Sequence, residues 1–93
     1  MYVILVYDVS LKEKEGAIIL KNIFNICKRY LNHSQNSVFE GELTLTLLKK
    51  LRKELSQVVR KNLDSIIFYK ISNFHNLQKD YIGIDKTYSN NFL

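Results

Sequence analysis

The first apolar run of the chain, Tyr2-Val3-Ile4-Leu5-Val6-Tyr7, closes on Asp8-Val9-Ser10. A run of this length, rich in β-branched and aromatic residues and bounded by polar ones, predicts a strand buried on both faces and therefore central in its sheet. The end of such a strand surfaces at the rim of the sheet. An ionised Asp8 there is either held by backbone donors of the following turn or placed to take a cation, and the strand alone leaves both open.

Beyond Asp8 the period changes. Ser10 and Glu13 have the S-x-x-E spacing of a capping box and predict a helix start. Leu20, Ile23, Phe24, Cys27 and Leu31 form its apolar stripe, flanked by Ala17 and Tyr30, while Lys21, Asn22, Asn25, Lys28 and Arg29 fall mainly opposite. Cys27 on that stripe reads as a small buried hydrophobe. Residues 33–44 predict extended structure supported by Val38, Phe39 and Leu43 and kinked near Gly41, as one bent strand or two short ones. Thr44 or Thr46 caps a second helix with the stripe Leu48, Leu51, Leu55, Val58 and Val59. Its other face carries Lys49, Lys50, Arg52, Lys53, Arg60 and Lys61, a surface suited to phosphates. Residues 65–71 predict a third strand and residues 81–84 a short fourth. The order β, α, β, α, β, β with both helices on one face implies an α+β two-layer sandwich, ferredoxin-like, with an antiparallel sheet over residues 1–84 and a tail over 85–93.

Composition narrows the function. A chain of 93 residues forms one domain, and one this small buries only roughly two thirds of its unfolded surface, which favours a partner subunit. The net charge of +5, from 14 Lys+Arg against 9 Asp+Glu, suits a polyanionic partner such as nucleic acid. A single cysteine excludes an internal disulfide and any C-x-x-C motif, and points to the cytoplasm. The apolar run at the start has no basic segment before it and is far below membrane-spanning length, so neither a signal peptide nor a membrane helix is expected.

Gly-rich phosphate loops, G-x-S-x-G and H-E-x-x-H are absent, and His33 and His75 lie far apart. One chain offers one well-placed carboxylate. Two-fold pairing changes that count, because an isologous interface brings the same residue from each subunit together, and two Asp8 carboxylates could share one Mg²⁺ completed by waters and phosphate oxygens.

Val6-Tyr7-Asp8-Val9 closing the first strand, followed after one helix by Gln35-Asn36-Ser37-Val38-Phe39-Glu40-Gly41-Glu42-Leu43-Thr44, resembles the small CRISPR-associated endonucleases of Cas family two, and the ending Ser89-Asn90-Asn91-Phe92-Leu93 is similar to one branch of that family. The resemblance implies a ferredoxin-like homodimer whose C-terminal segment pairs with the partner's sheet. It further implies a Mg²⁺ site at Asp8, as metal ligand and catalytic residue, and work in CRISPR adaptation, where the family bridges dimers of the integrase, Cas family one, and carries DNA. Members are also described as metal-dependent nucleases acting on RNA or duplex DNA. Tyr7 and Phe39 match the family's motif aromatics without an assigned role. Where many relatives place arginines at the start of the first helix, this chain has Lys12 and Lys14, which lack the bidentate fork of Arg. Nucleic-acid contacts are accordingly expected from Lys12, Lys14, Lys49, Lys50, Arg52 and Lys53. Two other readings remain: a non-catalytic scaffold that grips nucleic acid, and a related stand-alone toxin ribonuclease or an RNA-binding module of RRM shape, the last needing exposed aromatics such as Tyr69 or Tyr7 on central strands.

Overall fold

The computed structural model describes residues 1–86. Its elements are β1 (Tyr2–Asp8), α1 (Gly16–Tyr30), β2 (Asn32–Gln35), β3 (Val38–Glu42), α2 (Leu45–Ser56), β4 (Ser65–Ile71) and a single 3₁₀ turn at Phe74–Asn76. β1 pairs antiparallel with β3 on one side and β4 on the other, and β2 pairs with β3, giving the sheet order β2-β3-β1-β4. This is the ferredoxin-like arrangement, with β1 central as its sequence predicts.

The core forms between the sheet and the two helices. Val3, Leu5 and Tyr7 of β1 and Phe39 of β3 pack with Ile23, Ile26 and Cys27 of α1 and Leu48, Leu51 and Leu55 of α2. Leu5 is in register with Phe39 on one neighbour and Phe68 on the other, so one row of large side chains crosses the sheet beneath the helices. Each fully buried Leu or Phe of that row contributes roughly 2 kcal/mol through loss of apolar surface from water. Cys27 is fully buried, and burial pushes its thiol up to about 12, which keeps it protonated and inert. Arg29 and Tyr30 at the end of α1 both donate to Glu54 of α2, tying the helices together at that end.

Several local expectations are corrected. β1 is buried on one face only: Val3, Leu5 and Tyr7 are buried, whereas Tyr2, Ile4 and Val6 are half-exposed, because both helices lie on the same side of the sheet. The break in residues 33–44 falls at Asn36, whose φ of 41° turns the chain between β2 and β3. Asn tolerates this left-handed geometry better than most residues. Gly41 instead sits inside β3 against the Leu31 side chain, where an added Cβ would come within 3.3 Å of Cδ2. Thr44 is the cap of α2, its Oγ1 accepting from Leu47 N–H at 3.2 Å. Val58 and Val59 lie past the end of that helix, half-buried. Residues 81–84 form no strand: Ile82 and Ile84 stand largely in solvent and line a groove with Ile4, Gln35 and Val38 on the outer side of the sheet without joining its ladder. Of the expected partner-pairing tail, residues 87–93 with Phe92-Leu93 lie outside the described residues.

The largest departure is at the start of α1. Ser10 and Glu13 make no capping box; α1 begins at Gly16, with Glu15 at its cap position contributing no side-chain bond. The backbone of Ser10 is captured elsewhere. Its N–H donates to Asp64 Oδ1 at 3.1 Å, and its carbonyl accepts from Arg60 Nη2 at 2.7 Å. Arg60 in turn donates to Asp64 through Nε at 2.9 Å, Nη2 at 2.8 Å and its backbone N–H at 3.0 Å. Arg60, expected on the phosphate-facing basic surface of α2, therefore belongs to a largely buried ion pair, with the Asp64 side chain wholly inaccessible. Gly16 completes the arrangement. A Cβ there would lie 2.3 Å from the Ser10 carbonyl oxygen, so only glycine lets the loop rest on the helix start.

The Arg60 guanidinium, helped by the backbone donors of Arg60 and Ser10 and opposed by burial, holds the Asp64 carboxyl at about 2 against an ordinary 3.8. Because the folded value lies below the unfolded one, this stabilisation is complete above about pH 4 and is lost as pH falls toward about 2. Asp64→Asn is expected to cost roughly 1–2 kcal/mol at neutral pH and to flatten that acid limb. Urea midpoints measured across the range check this; parallel acid losses in both proteins would show that Asp64 contributes nothing to the limb.

Candidate metal and nucleic-acid site

Asp8 is the last residue of β1, exposed and in register with Ser65, the first residue of β4. Strand alternation places it with Tyr2, Ile4 and Val6 on the face turned away from the helices. Among the described residues its carboxylate has no hydrogen-bond or ion-pair partner. Of the two roles open to it from the sequence, the turn-holding one belongs to Asp64. Two carboxylates near the same end of the sheet thus sit in opposite environments: Asp64 is sequestered and fully engaged, Asp8 is exposed and free to take a cation.

Among the described residues no three His, Cys, Asp or Glu side chains come together as a metal cage. One chain supplies a single hard oxygen donor group at Asp8. That donor type fits Mg²⁺, which is commonly held by one or two carboxylates with waters and substrate phosphates filling the remaining positions.

The face that carries Asp8 is apolar along much of its area. Ile4, Val6 and Val38 are half-exposed, and Ile67 and Tyr69 of β4 are 45% and 52% exposed. At the far end the chain after β4 returns over this face: Phe74 packs on Tyr2 with centroids 4.6 Å apart, and Lys79 pairs with Glu40, which also accepts from Tyr2 Oη at 2.5 Å. These contacts account for the burial of Glu40 on an otherwise open surface.

The motif aromatics lie on the other side of the sheet. Tyr7 and Phe39 are both buried and stack with centroids 6.2 Å apart, and Phe39 also meets Phe24 edge-on at 5.3 Å. Burial raises the Tyr7 hydroxyl above its ordinary value. They pack the core beneath Asp8, and Tyr7 is not an exposed stacking platform. His33 closes the β2–β3 turn, its Nε2 2.8 Å from the Asn36 carbonyl.

The expected cations separate into two groups. Lys12 and Lys14 are exposed on the loop that follows Asp8. Lys49, Lys50, Arg52 and Lys53 are exposed on α2, in the helix layer across the sheet from the Asp8 face. Arg52 sits 5.2 Å over the Phe68 ring, at a groove of about 200 Å³ that Lys61 also lines. The structure therefore brings only the loop lysines to the strand end that carries Asp8. Arg60 and Asp64 escaped the sequence reading, because Arg60 matched the basic period of α2; the signal available was its i, i+4 spacing to an Asp standing directly before an apolar strand.

Comparison with known proteins bears on this arrangement. The family model described as CRISPR associated protein Cas2 matches residues 1–79. The CRISPR-associated endoribonuclease Cas2 of Fusobacterium nucleatum is 47% identical over 93 residues, spanning 100% of this chain and 87% of that protein. The protein of the same name from Thermotoga maritima is 41% identical over 86 residues, 92% of each chain. The crystal structure of Streptococcus pyogenes Cas2 superposes with a TM-score of 0.78 at 29% identity, covering 89% of this chain and 100% of that one. Among the described residues no helix is long and apolar enough to cross a membrane. With a family model covering most of its length and close relatives spanning nearly all of it, the chain belongs to the CRISPR-associated protein Cas2 family.

Proposed function

We propose that this protein is a Mg²⁺-dependent endonuclease of CRISPR adaptation that works as a homodimer, with Asp8 of each copy contributing to one metal site. The observation that carries the proposal is the exposed, unpartnered Asp8 carboxylate on an open apolar sheet face. An isologous pairing through that face removes Ile4, Val6, Ile67 and Tyr69 from water and brings two Asp8 side chains toward one axis. Two like charges brought together favour a divalent cation between them. The two Asp8 carboxylates would hold Mg²⁺, which when bound would acidify a water and offset charge on the phosphate. The chain's own contribution is to hold Asp8 at a fixed strand end, to keep the inner face dry and to offer Lys12 and Lys14 to the phosphate backbone. The relatives named endoribonucleases favour RNA as the substrate, with duplex DNA as the second candidate. The integrase of Cas family one is the proposed larger partner.

A non-catalytic scaffold is favoured by a separate observation: the richest basic surface, on α2, lies across the sheet from Asp8, so gripping nucleic acid does not require Asp8.

Asp8→Asn keeps the side-chain shape and removes the charge. It is expected to reduce Mg²⁺-dependent hydrolysis by roughly 100-fold or more while leaving dimer mass and duplex binding unchanged. Cleavage assays with Mg²⁺ and with EDTA, on RNA and on duplex DNA, decide between the readings; hydrolysis at the wild-type rate by the variant rules Asp8 out.

Ile67→Glu puts a charge into the open face and is expected to convert the dimer to a monomer at micromolar concentration without unfolding it, because Ile67 is already half in solvent within one chain. Light scattering reads the mass, and an unchanged dimer would place the interface elsewhere.

Nucleic-acid binding is expected to ignore sequence and to weaken steeply with salt, since the candidate contacts are Lys and Arg side chains without a base-reading element. Lys49→Ala with Lys53→Ala lowers the slope of log K against log salt by about 2 if both touch phosphates. An unaltered slope would remove the α2 surface from the binding site.

A further inference from the structure

We infer that Arg60 and Asp64 are positioning residues for Asp8, a role that rests on the reading of Asp8 as a metal ligand and assigns that site its supporting shell. Ser10 stands two residues beyond Asp8. Both polar groups of its backbone are held by the pair, the N–H by Asp64 Oδ1 at 3.1 Å and the carbonyl by Arg60 Nη2 at 2.7 Å. Asp64 also directly precedes Ser65, the register partner of Asp8 across the ladder. Asp8 is therefore braced twice by one ion pair, along its own chain through Val9 to Ser10 and across the sheet through Ser65. The Gly16 contact, with no room for a Cβ beside the Ser10 carbonyl, closes the third side.

Stability alone does not account for this device. The Asp64 side chain is wholly buried and that of Arg60 is 17% exposed, and among the described residues Arg60 Nη1 is a buried donor with no acceptor. Replacing a buried ion pair by apolar residues of similar volume is often neutral or stabilising, so stability is a weak reason for such a pair. What apolar residues cannot do is hold a peptide N–H and the adjoining carbonyl at once. A planar guanidinium and a carboxylate with two acceptor oxygens do so in a fixed geometry, and the group they fix leads straight to the exposed Asp8 carboxylate. A ligand on an exposed loop margin needs such bracing if two copies are to present oxygens to one small, octahedrally demanding ion.

The test uses ¹⁵N-labelled full-length protein and two variants. The double substitution Arg60→Met with Asp64→Leu removes both charges together, which keeps the fold while deleting both bonds to Ser10. Arg60→Lys retains the charge but lacks the fork that serves Asp64 and Ser10 simultaneously, and it carries the same measurements should the double variant fail to fold. The Asp8 and Val9 amides are followed first without metal, by chemical shift and hydrogen exchange, and then through a Mg²⁺ titration. Core amides such as Leu5 and Ile23 are expected at their wild-type positions. Asp8 and Val9 are expected to be displaced and to exchange faster, with the Mg²⁺ midpoint raised about tenfold or more. A merely structural pair would lower the melting temperature and leave that midpoint alone in the folded protein; a wild-type midpoint, or undisturbed Asp8 and Val9 amides, overturns the proposal. If the wild-type protein gives no Mg²⁺ response at Asp8, the ligand reading of Asp8 fails by itself. The metal-free amides then decide on positioning, displaced resonances supporting it and undisturbed ones rejecting it.

Discussion

Two helices can cover only one face of a four-stranded sheet, and most of what is distinctive in this molecule follows from that shortage. The inner face is filled in the ordinary way, with Leu5, Phe39 and the α1 and α2 stripes closing a dry core. The outer face is built from residues that a solvated surface does not call for: Ile4, Val6, Val38, Ile67 and Tyr69. Part of it is covered by the returning chain, where Phe74 meets Tyr2 and Lys79 meets Glu40. The remainder runs toward Asp8. An apolar surface that ends at a lone carboxylate is a poor design for a monomer and a sensible one for a self-complementary interface, where the same shortage of cover is met by a second copy.

The rim of the sheet near Asp8 shows how environment assigns roles to identical side chains. Asp64 and Asp8 sit one residue apart in the ladder's register, since Ser65 faces Asp8. Asp64 is enclosed and receives four hydrogen bonds from Arg60 and Ser10. Its charge is committed, as its depressed pKa of about 2 records. Asp8 receives none from the described residues and keeps its charge for something else. The loop between them is shaped by the committed carboxylate, and the Gly16 approach at the start of α1 is the steric mark of that loop pressing on the helix.

Much of this was readable in advance, and the failures share a cause. Helical and strand periodicity, Thr44 as a cap and the central position of β1 are properties of short windows, and they hold in the structure. The motif aromatics were recognisable, but that Tyr7 and Phe39 pack inward on each other depends on which face the helices cover. The Ser10–Glu13 capping box is a local pattern defeated by a bond from more than fifty positions away, since Ser10 N–H goes to Asp64. Arg60 fitted the basic period of α2, and its i, i+4 spacing to Asp64 was the one local mark that set it apart from Lys49 or Lys53. The expected strand at residues 81–84 had the right composition but joins no ladder of the sheet, and pairing is not a property of one segment's periodicity.

The same geometry separates gripping from chemistry. Within one chain the α2 cations and Asp8 lie on opposite sides of the sheet, and of the cations expected to meet phosphates only Lys12 and Lys14 lie on the loop that follows Asp8. In a dimer paired through the open faces, both α2 surfaces point outward and both Asp8 residues lie toward the axis. A duplex laid along the outer cations then runs well clear of the carboxylates, and a phosphate reaches them only through the opening flanked by the two loops. In that arrangement the reach and charge of Lys12 and Lys14 would set that access, since two flexible lysines attract a backbone without fixing it as a guanidinium fork would. On the proposed reading, holding nucleic acid and hydrolysing it draw on different residues of this protein, so each can be lost without the other.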